Sequence, residues 1–181
     1  PPWGCITGLR PAKRARHFLA LGNTEDRVRR LFSDDYLVSP GKTELTMRTA
    51  ARENALLAGV TADCCGLYVS IPFCPTRCAY CSFVSYSNKK LFALIPDYLE
   101  KLLADIRDTA ELIASLGLRL SAIYIGGGTP SILDNAQTER LFAVLGACAE
   151  RFDVSEFTYE SGRPDTTTGE KLAVAKRCGV N

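Results

Sequence analysis

Leu67-Tyr68-Val69-Ser70-Ile71-Pro72-Phe73-Cys74-Pro75-Thr76-Arg77-Cys78-Ala79-Tyr80-Cys81 is the stretch whose reading decides the fold. Its first five residues are a short β-rich run, Pro72 stops them, and three cysteines come at once in the spacing C-x3-C-x2-C. Downstream the pattern alternates. Residues 96–116 read as a helix with Leu99, Leu102, Leu103, Ile106, Ala110 and Ile113 on one face. Residues 120–125 read as a second strand, and Leu141, Leu145, Cys148 and Phe152 stripe the next helix. Phe157-Thr158-Tyr159-Glu160 reads as a third strand, and Thr167-x-x-Glu170 as a capping box for a helix closed by Gly179. Three βα units in succession predict an α/β fold with a parallel sheet and right-handed crossovers.

Upstream, residues 1–63 read as a small helical region, set apart from the α/β region 64–181. Pro11 starts a helix over 11–21 that Gly22 ends, and Asn23 or Thr24 caps a second with Val28, Leu31 and Phe32. A third runs over about 43–57, before Gly59. Residues 1–30 carry a net charge of +5 and the remainder −3. Arg10, Lys13, Arg14 and Arg16 therefore suit either phosphate contacts or a solvated helix face, and the solvated face is the favoured reading.

With 181 residues, 46% hydrophobic and 23% charged, the chain has the composition of a globular protein and not of a disordered one. No apolar run approaches a membrane span. The beginning, Pro1-Pro2-Trp3-Gly4, is neither a signal peptide nor a Met start, so the chain reads as a piece of a longer, cytoplasmic protein with no membrane partner.

Eight cysteines invite a disulfide framework, yet three of them crowd one loop, which suits a metal or cluster better. Structural zinc needs a fourth N/S ligand, for which Cys64 or Cys65 is available, since the only histidine, His17, lies on the basic helix. An iron–sulfur cubane on three local thiolates would instead leave one iron open to a further ligand. Phe73, Tyr80 and Phe83 would shield such a cluster. Cys148 and Cys178 read as core packing and Cys64-Cys65 as linker thiols.

Gly126-Gly127-Gly128-Thr129-Pro130 comes directly after the second strand, and successive glycines let a backbone approach a ligand closely. Pro130 and Ser131 spoil the dinucleotide fingerprint. Glu160 ends the third strand, where an ion pair with Arg163 is the alternative to a ligand role. Cysteine loop, glycine loop and Glu160 each stand at the carboxyl end of a strand, the edge on which parallel α/β folds bind ligands.

Residues 68–83 together with Gly126-Gly127-Gly128-Thr129-Pro130 resemble the radical S-adenosylmethionine (SAM) superfamily, and within it the oxygen-independent coproporphyrinogen III oxidase-like proteins. Trp3-Gly4, Thr7-Gly8-Leu9-Arg10-Pro11 and Glu160-Ser161-Gly162-Arg163-Pro164-Asp165-Thr166 resemble its coproporphyrinogen dehydrogenase subgroup. The resemblance implies a partial (βα)6 TIM-like barrel, of which about three units are present. It implies a [4Fe–4S] cluster on Cys74, Cys78 and Cys81, with SAM on the fourth iron. It places SAM contacts at Tyr68, Tyr80, Gly126, Gly127, Gly128, Thr129 and Glu160. The implied chemistry is reductive SAM cleavage to a 5′-deoxyadenosyl radical, fed by an electron donor protein, and oxidative decarboxylation of a tetrapyrrole propionate. Ser70 stands where the oxidase carries a His, and Ser82-Phe83 replaces its extra cysteine, so the resemblance covers the cluster and SAM residues and departs from the oxidase at these two positions. Relatives acting as haem chaperones make a haem-binding or haem-delivery protein the alternative. A zinc-stabilised nucleic-acid-binding module on the basic helices is the lesser one, and nucleic acid is not the expected partner.

Overall fold

The computed structural model describes residues 1–6 and 10–181; Thr7, Gly8 and Leu9 of the N-terminal resemblance lie outside the described residues. The chain divides into two compact units, Pro1–Val60 and Thr61–Asn181.

The first unit is helical. Helix α1 (Pro11–Ala20) begins with proline at its first turn, where no amide hydrogen is needed, and Gly22 leaves it with φ +85°. Thr24 caps α2 (Glu25–Arg30) by accepting from the Arg27 amide at 3.3 Å. A single π-type turn (Leu31–Asp35) comes next. Helix α3 (Pro40–Leu57) starts three residues before the expected Thr43, because Ser39 is extended and Pro40 occupies the first turn. Ile6, Ala15, Val28, Phe32, Met47 and Ala50 form the buried centre. Some of the basic residues are engaged within this unit. Arg14 lies over the Tyr36 ring, Arg16 bonds Asn54 and Glu53, and Arg29 meets Glu25, Asp26 and Glu44. Arg10 and Lys13 are exposed, and Arg14 and Arg16 are half-buried.

The second unit holds strands β1 (Cys64–Ile71), β2 (Arg119–Gly127) and β3 (Glu156–Tyr159) in the order β1-β2-β3, all parallel. Helix α4 (Ile95–Ser115) connects β1 to β2, α5 (Asn135–Phe152) connects β2 to β3, and α6 (Gly169–Arg177) succeeds β3. This is the expected succession of three βα units, a mixed α/β fold matching part of a TIM-like barrel. Strand alternation sorts the side chains. Val69, Ile71, Ile123, Ile125 and Phe157 are buried with Leu99, Leu103 and Ile106 of α4 and Leu141, Phe142 and Leu145 of α5. Phe142 meets Tyr159 edge-on at 5.0 Å and lies 6.0 Å from Phe157. Tyr68 and Tyr124, neighbours in register on the opposite face, stay exposed and stack at 5.8 Å.

Two expectations are corrected here. Cys64 and Cys65 are strand residues and not linker thiols, because Cys64 pairs with Arg119, Cys65 with Leu120, and the Arg119 amide donates to the Asp63 carbonyl. The last helix is capped by Thr168, which accepts from the Lys171 amide, and not by Thr167 with Glu170. Thr166 and Thr167 both fold back on the Arg163 carbonyl, so Thr168 is the first residue free to cap. Glu170 bonds Asn135 instead. Helix α5 carries the full capping box, between Asp134 and Gln137.

Phe142→Ala should lower the unfolding free energy by about 3–5 kcal/mol, read from urea unfolding, because a fully buried ring leaves a cavity between α5 and β3. Burial pushes the Tyr159 phenol up to about 12 from 10.0. Between those values the unfolded chain has lost a proton that the folded chain keeps, so stability falls as pH rises through that window. Tyr159→Phe should flatten that alkaline loss in unfolding midpoints measured across it.

Candidate functional site

Because the three strands are parallel, their carboxyl ends share one edge, and the chain leaves that edge three times: at Pro72, at Gly128 and at Glu160. The first exit is anchored by Phe73, buried edge-on against Tyr98 at 5.4 Å and Phe92 at 6.5 Å. The Tyr98 hydroxyl donates to the Ser70 carbonyl at 2.6 Å. A two-bond bridge closes the cysteine loop: the Cys74 amide donates to the Tyr86 carbonyl at 3.0 Å, and the Tyr86 amide to the Pro72 carbonyl at 2.7 Å. Inside it, the Cys81 amide donates to the Cys78 carbonyl at 3.0 Å. Cys74 is buried, Cys78 and Cys81 are half-buried, and all three are free thiols.

The second exit runs beside the first. The Gly128 amide donates to the Ile71 carbonyl at 2.8 Å and the Thr129 amide to the Phe73 carbonyl at 2.9 Å. The Thr129 hydroxyl donates to Cys74 Sγ at 3.4 Å, so this buried side chain serves the cysteine loop. A methyl group at Gly128 would stand 2.7 Å from the Phe73 carbonyl oxygen and 2.9 Å from Cys74 Sγ. Gly127 has φ +105°, and a methyl there would meet Ser70 Oγ at 2.6 Å. One at Gly126 would meet Glu160 Oε2 at 2.9 Å and the Tyr68 hydroxyl at 3.3 Å. Gly126 is thus the point at which Tyr68, Tyr124 and the third exit converge. The Glu160 amide is fixed to the Ile125 carbonyl at 2.9 Å, while its carboxylate stays exposed beside Tyr124. Desolvation first, and that carboxylate second, push the Tyr124 phenol up.

Some expected residues stand elsewhere. Tyr80 is 90% and Phe83 65% exposed, and neither ring has an aromatic partner among the described residues. Of the three expected shielding rings, Phe73 alone is buried, against α4. Arg163 does not pair with Glu160: its guanidinium forks onto Asp165 at 2.9 and 3.1 Å. Cys64 and Cys65, the spare zinc ligands, lie at the amino end of β1, about 20 Å along an eight-residue strand from the cysteine loop. That removes them from any shared site. Cys64 Sγ accepts there from the Thr61 amide at 3.4 Å and from Arg119 at 3.1 Å, which lowers its pKa, Thr61 contributing most. Among the described residues, no three His, Cys, Asp or Glu side chains converge on a point that would hold a single metal ion.

Tyr124, Ser131, Arg163 and Lys171 were absent from the expected site. Ser131 donates its hydroxyl to the Ser161 carbonyl at 2.5 Å, and the buried Lys171 ammonium donates to the Ser131 and Thr166 carbonyls at 2.8 and 3.0 Å. These bonds tie the second exit to the third. Tyr124, two residues before Gly126 and so on the same strand face, was legible from period-two alternation; the Lys171 tie had no local signal.

Residues 68–181 match the model of the radical SAM superfamily. An oxygen-independent coproporphyrinogen-III oxidase-like protein HemZ of Bacillus subtilis (strain 168) is 30% identical over 182 residues, covering 99% of this chain and 36% of that protein. The heme chaperone HemW of Bacillus subtilis (strain 168) is 36% identical over 116 residues, covering 63% and 29%. The chain therefore spans about a third of the length of the curated relatives it matches. A solved coproporphyrinogen III oxidase (HemN) from Escherichia coli, described as a radical SAM enzyme, is 29% identical with a TM-score of 0.48, over 64% of this chain and 26% of that one. With its cysteine loop, its glycine turn and everything from the middle of β1 onward inside the matched residues, the chain belongs to the radical SAM superfamily.

Proposed function

We propose that this chain is the cluster- and SAM-binding part of a radical SAM enzyme of tetrapyrrole metabolism, acting on coproporphyrinogen III or a related substrate by oxidative decarboxylation. The observation that carries the reading is the packing of glycine backbone against the cysteine loop, so tight that a single methyl group at Gly128 would strike Cys74 Sγ. The donor set fits the cluster. Three free thiols sit on one loop, and a cubane binds each thiolate to a different iron, so its ligands need not meet at one point as those of zinc must. In this reading Cys74, Cys78 and Cys81 hold the cluster and leave one iron for SAM. When bound, the cluster supplies the electron that cleaves SAM reductively. The chain's own part is to hold and orient. Gly126, Gly127, Gly128 and Thr129 keep the backbone close to the loop, Tyr68 offers a ring and a hydroxyl, and Tyr80 an exposed ring on the loop itself. Glu160 offers an exposed negative charge to a sulfonium cofactor. An electron donor protein and a cytoplasmic setting belong to the same proposal; no helix among the described residues is long and apolar enough to cross a membrane.

A second reading, haem binding and delivery on the same scaffold, is favoured by the likeness to heme chaperones and by Ser70 in the position where the oxidase carries a histidine. Anaerobic reconstitution of the full-length protein, with electron paramagnetic resonance spectra recorded with and without SAM, separates them. A cubane signal that changes with SAM, accompanied by 5′-deoxyadenosine formation, supports the enzyme. Tight haem binding without deoxyadenosine supports delivery, and bound zinc without sulfide overturns both.

Cys78→Ala should abolish cluster assembly, while Cys148→Ala, whose buried thiol has its pKa raised by desolvation, should keep full iron and sulfide content. Normal iron in the Cys78 variant would sink the three-thiolate arrangement. Glu160→Ala should retain the cluster and weaken SAM binding about tenfold, or ~1.4 kcal/mol, by equilibrium titration. Unchanged affinity would remove Glu160 from the site.

A further inference from the structure

Arg163 is joined to the cysteine loop across 87 residues of sequence. Its main chain is pinned first. The carbonyl accepts from the Thr166 and Thr167 amides at 3.3 and 3.0 Å and from both threonine hydroxyls at 3.2 and 2.7 Å. The preceding Gly162 has φ +94°, and a methyl group added there would stand 3.4 Å from Thr129. The guanidinium then divides its three nitrogens. Nε and Nη2 take the two Asp165 oxygens, and Nη1 donates to Thr76 Oγ1 at 2.9 Å and points at Cys78 Sγ 4.0 Å away. Asp165 fixes the plane of the fork, and Thr76 lies midway between Cys74 and Cys78. The arrangement needs a planar, multiply donating cation, which a lysine ammonium does not supply.

We infer that Arg163 is a positioning residue that clamps the cysteine loop through Thr76 and turns the cationic end of its Asp165 ion pair toward Cys78, favouring the reduced state of the group that the loop holds. The inference rests on the cluster reading given above for Cys74, Cys78 and Cys81. A cation near a thiolate ligand stabilises the extra electron of the reduced cluster, and charge and hydrogen bonding at the sulfurs are the levers by which proteins set cluster potentials. The turn after β3 thereby governs the loop after β1, although the two strands do not touch each other in the sheet.

The test uses the full-length protein in four forms: unaltered, Arg163→Met, Arg163→Lys and Asp165→Asn. Hydrogen exchange of the amides of residues 76–81 is measured on the cluster-free proteins, and the cluster midpoint potential on the reconstituted ones. Arg163→Met should speed exchange in the loop about tenfold. It should also lower the reduced-to-oxidised ratio at fixed poise about tenfold, equivalent to about 59 mV for one electron. Arg163→Lys should restore the potential and not the slow exchange, since it keeps the charge and loses the fork. Asp165→Asn should speed exchange without lowering the potential, and carries the test if Arg163→Met fails to fold. Unchanged exchange and potential in Arg163→Met would overturn the inference. A shift in exchange with no shift in potential would overturn its electrostatic half. If the unaltered protein assembles no cluster, the functional reading fails, while the exchange measurements still decide the clamp.

Discussion

Two hydrogen bonds beyond the end of the sheet set the rest of the site in place. Where β1 and β2 stop being strands, Gly128 still donates to Ile71 and Thr129 to Phe73, so the parallel ladder continues into two loops. Loops this close carry a steric condition, and the glycine run meets it: three successive Cβ atoms would each fall within 3.0 Å of a neighbouring atom. The same proximity puts the Thr129 hydroxyl on Cys74 and leaves Cys78 and Cys81 further out, half-buried on the rest of the loop. A glycine loop read in isolation is a tight turn; here its backbone is the wall of the cysteine loop.

The third exit is held by different means. Strand β3 is only four residues long, too short to stiffen the turn beyond it. That turn is instead locked by polar bonds from elsewhere: Ser131 from the second exit, Lys171 from α6, and the Arg163 carbonyl gathering two threonines. Burying the Lys171 ammonium costs desolvation, which lowers its pKa, and two carbonyl acceptors offset that cost. One turn after β3 thus carries Glu160 toward Gly126 and Arg163 toward Cys78, and a shift of that turn would move both.

The order of elements was legible in the sequence because it is a matter of period. The apolar spacing of Leu99, Leu103 and Ile106, and the alternation through Val69, Ile71, Ile123 and Ile125, each record burial against the other. The C-x3-C-x2-C spacing, the glycine run and Glu160 were legible as one edge because parallel strands have only one carboxyl edge. What escaped was set by contacts between distant residues. Nothing local ties Arg163 to Thr76, or Lys171 to Ser131. The exposed Tyr80 and Phe83 show the converse error, since a place beside the cysteines in sequence does not by itself fold a ring over them. The capping slip from Thr167 to Thr168 has the same cause: three threonines in a row are equivalent on paper until the Arg163 carbonyl claims the first two.

Cysteine makes the point most sharply, because one residue type meets three fates within a single unit. At the amino end of β1, Cys64 accepts from Thr61 and Arg119, and its thiolate is favoured. On α5, Cys148 is buried against apolar neighbours, and desolvation favours the neutral thiol. At the carboxyl edge, Cys74, Cys78 and Cys81 stay unpaired with one another, though close in sequence, on a loop closed by the bridge at Tyr86 and turned at Cys78. Of these three only Cys74 is buried, so the other two contribute little apolar burial to the core. The loop's tethers, Thr129 from one strand end and Arg163 from another, fix it from two sides, and under the proposed cluster reading they would hold its ligand set in readiness.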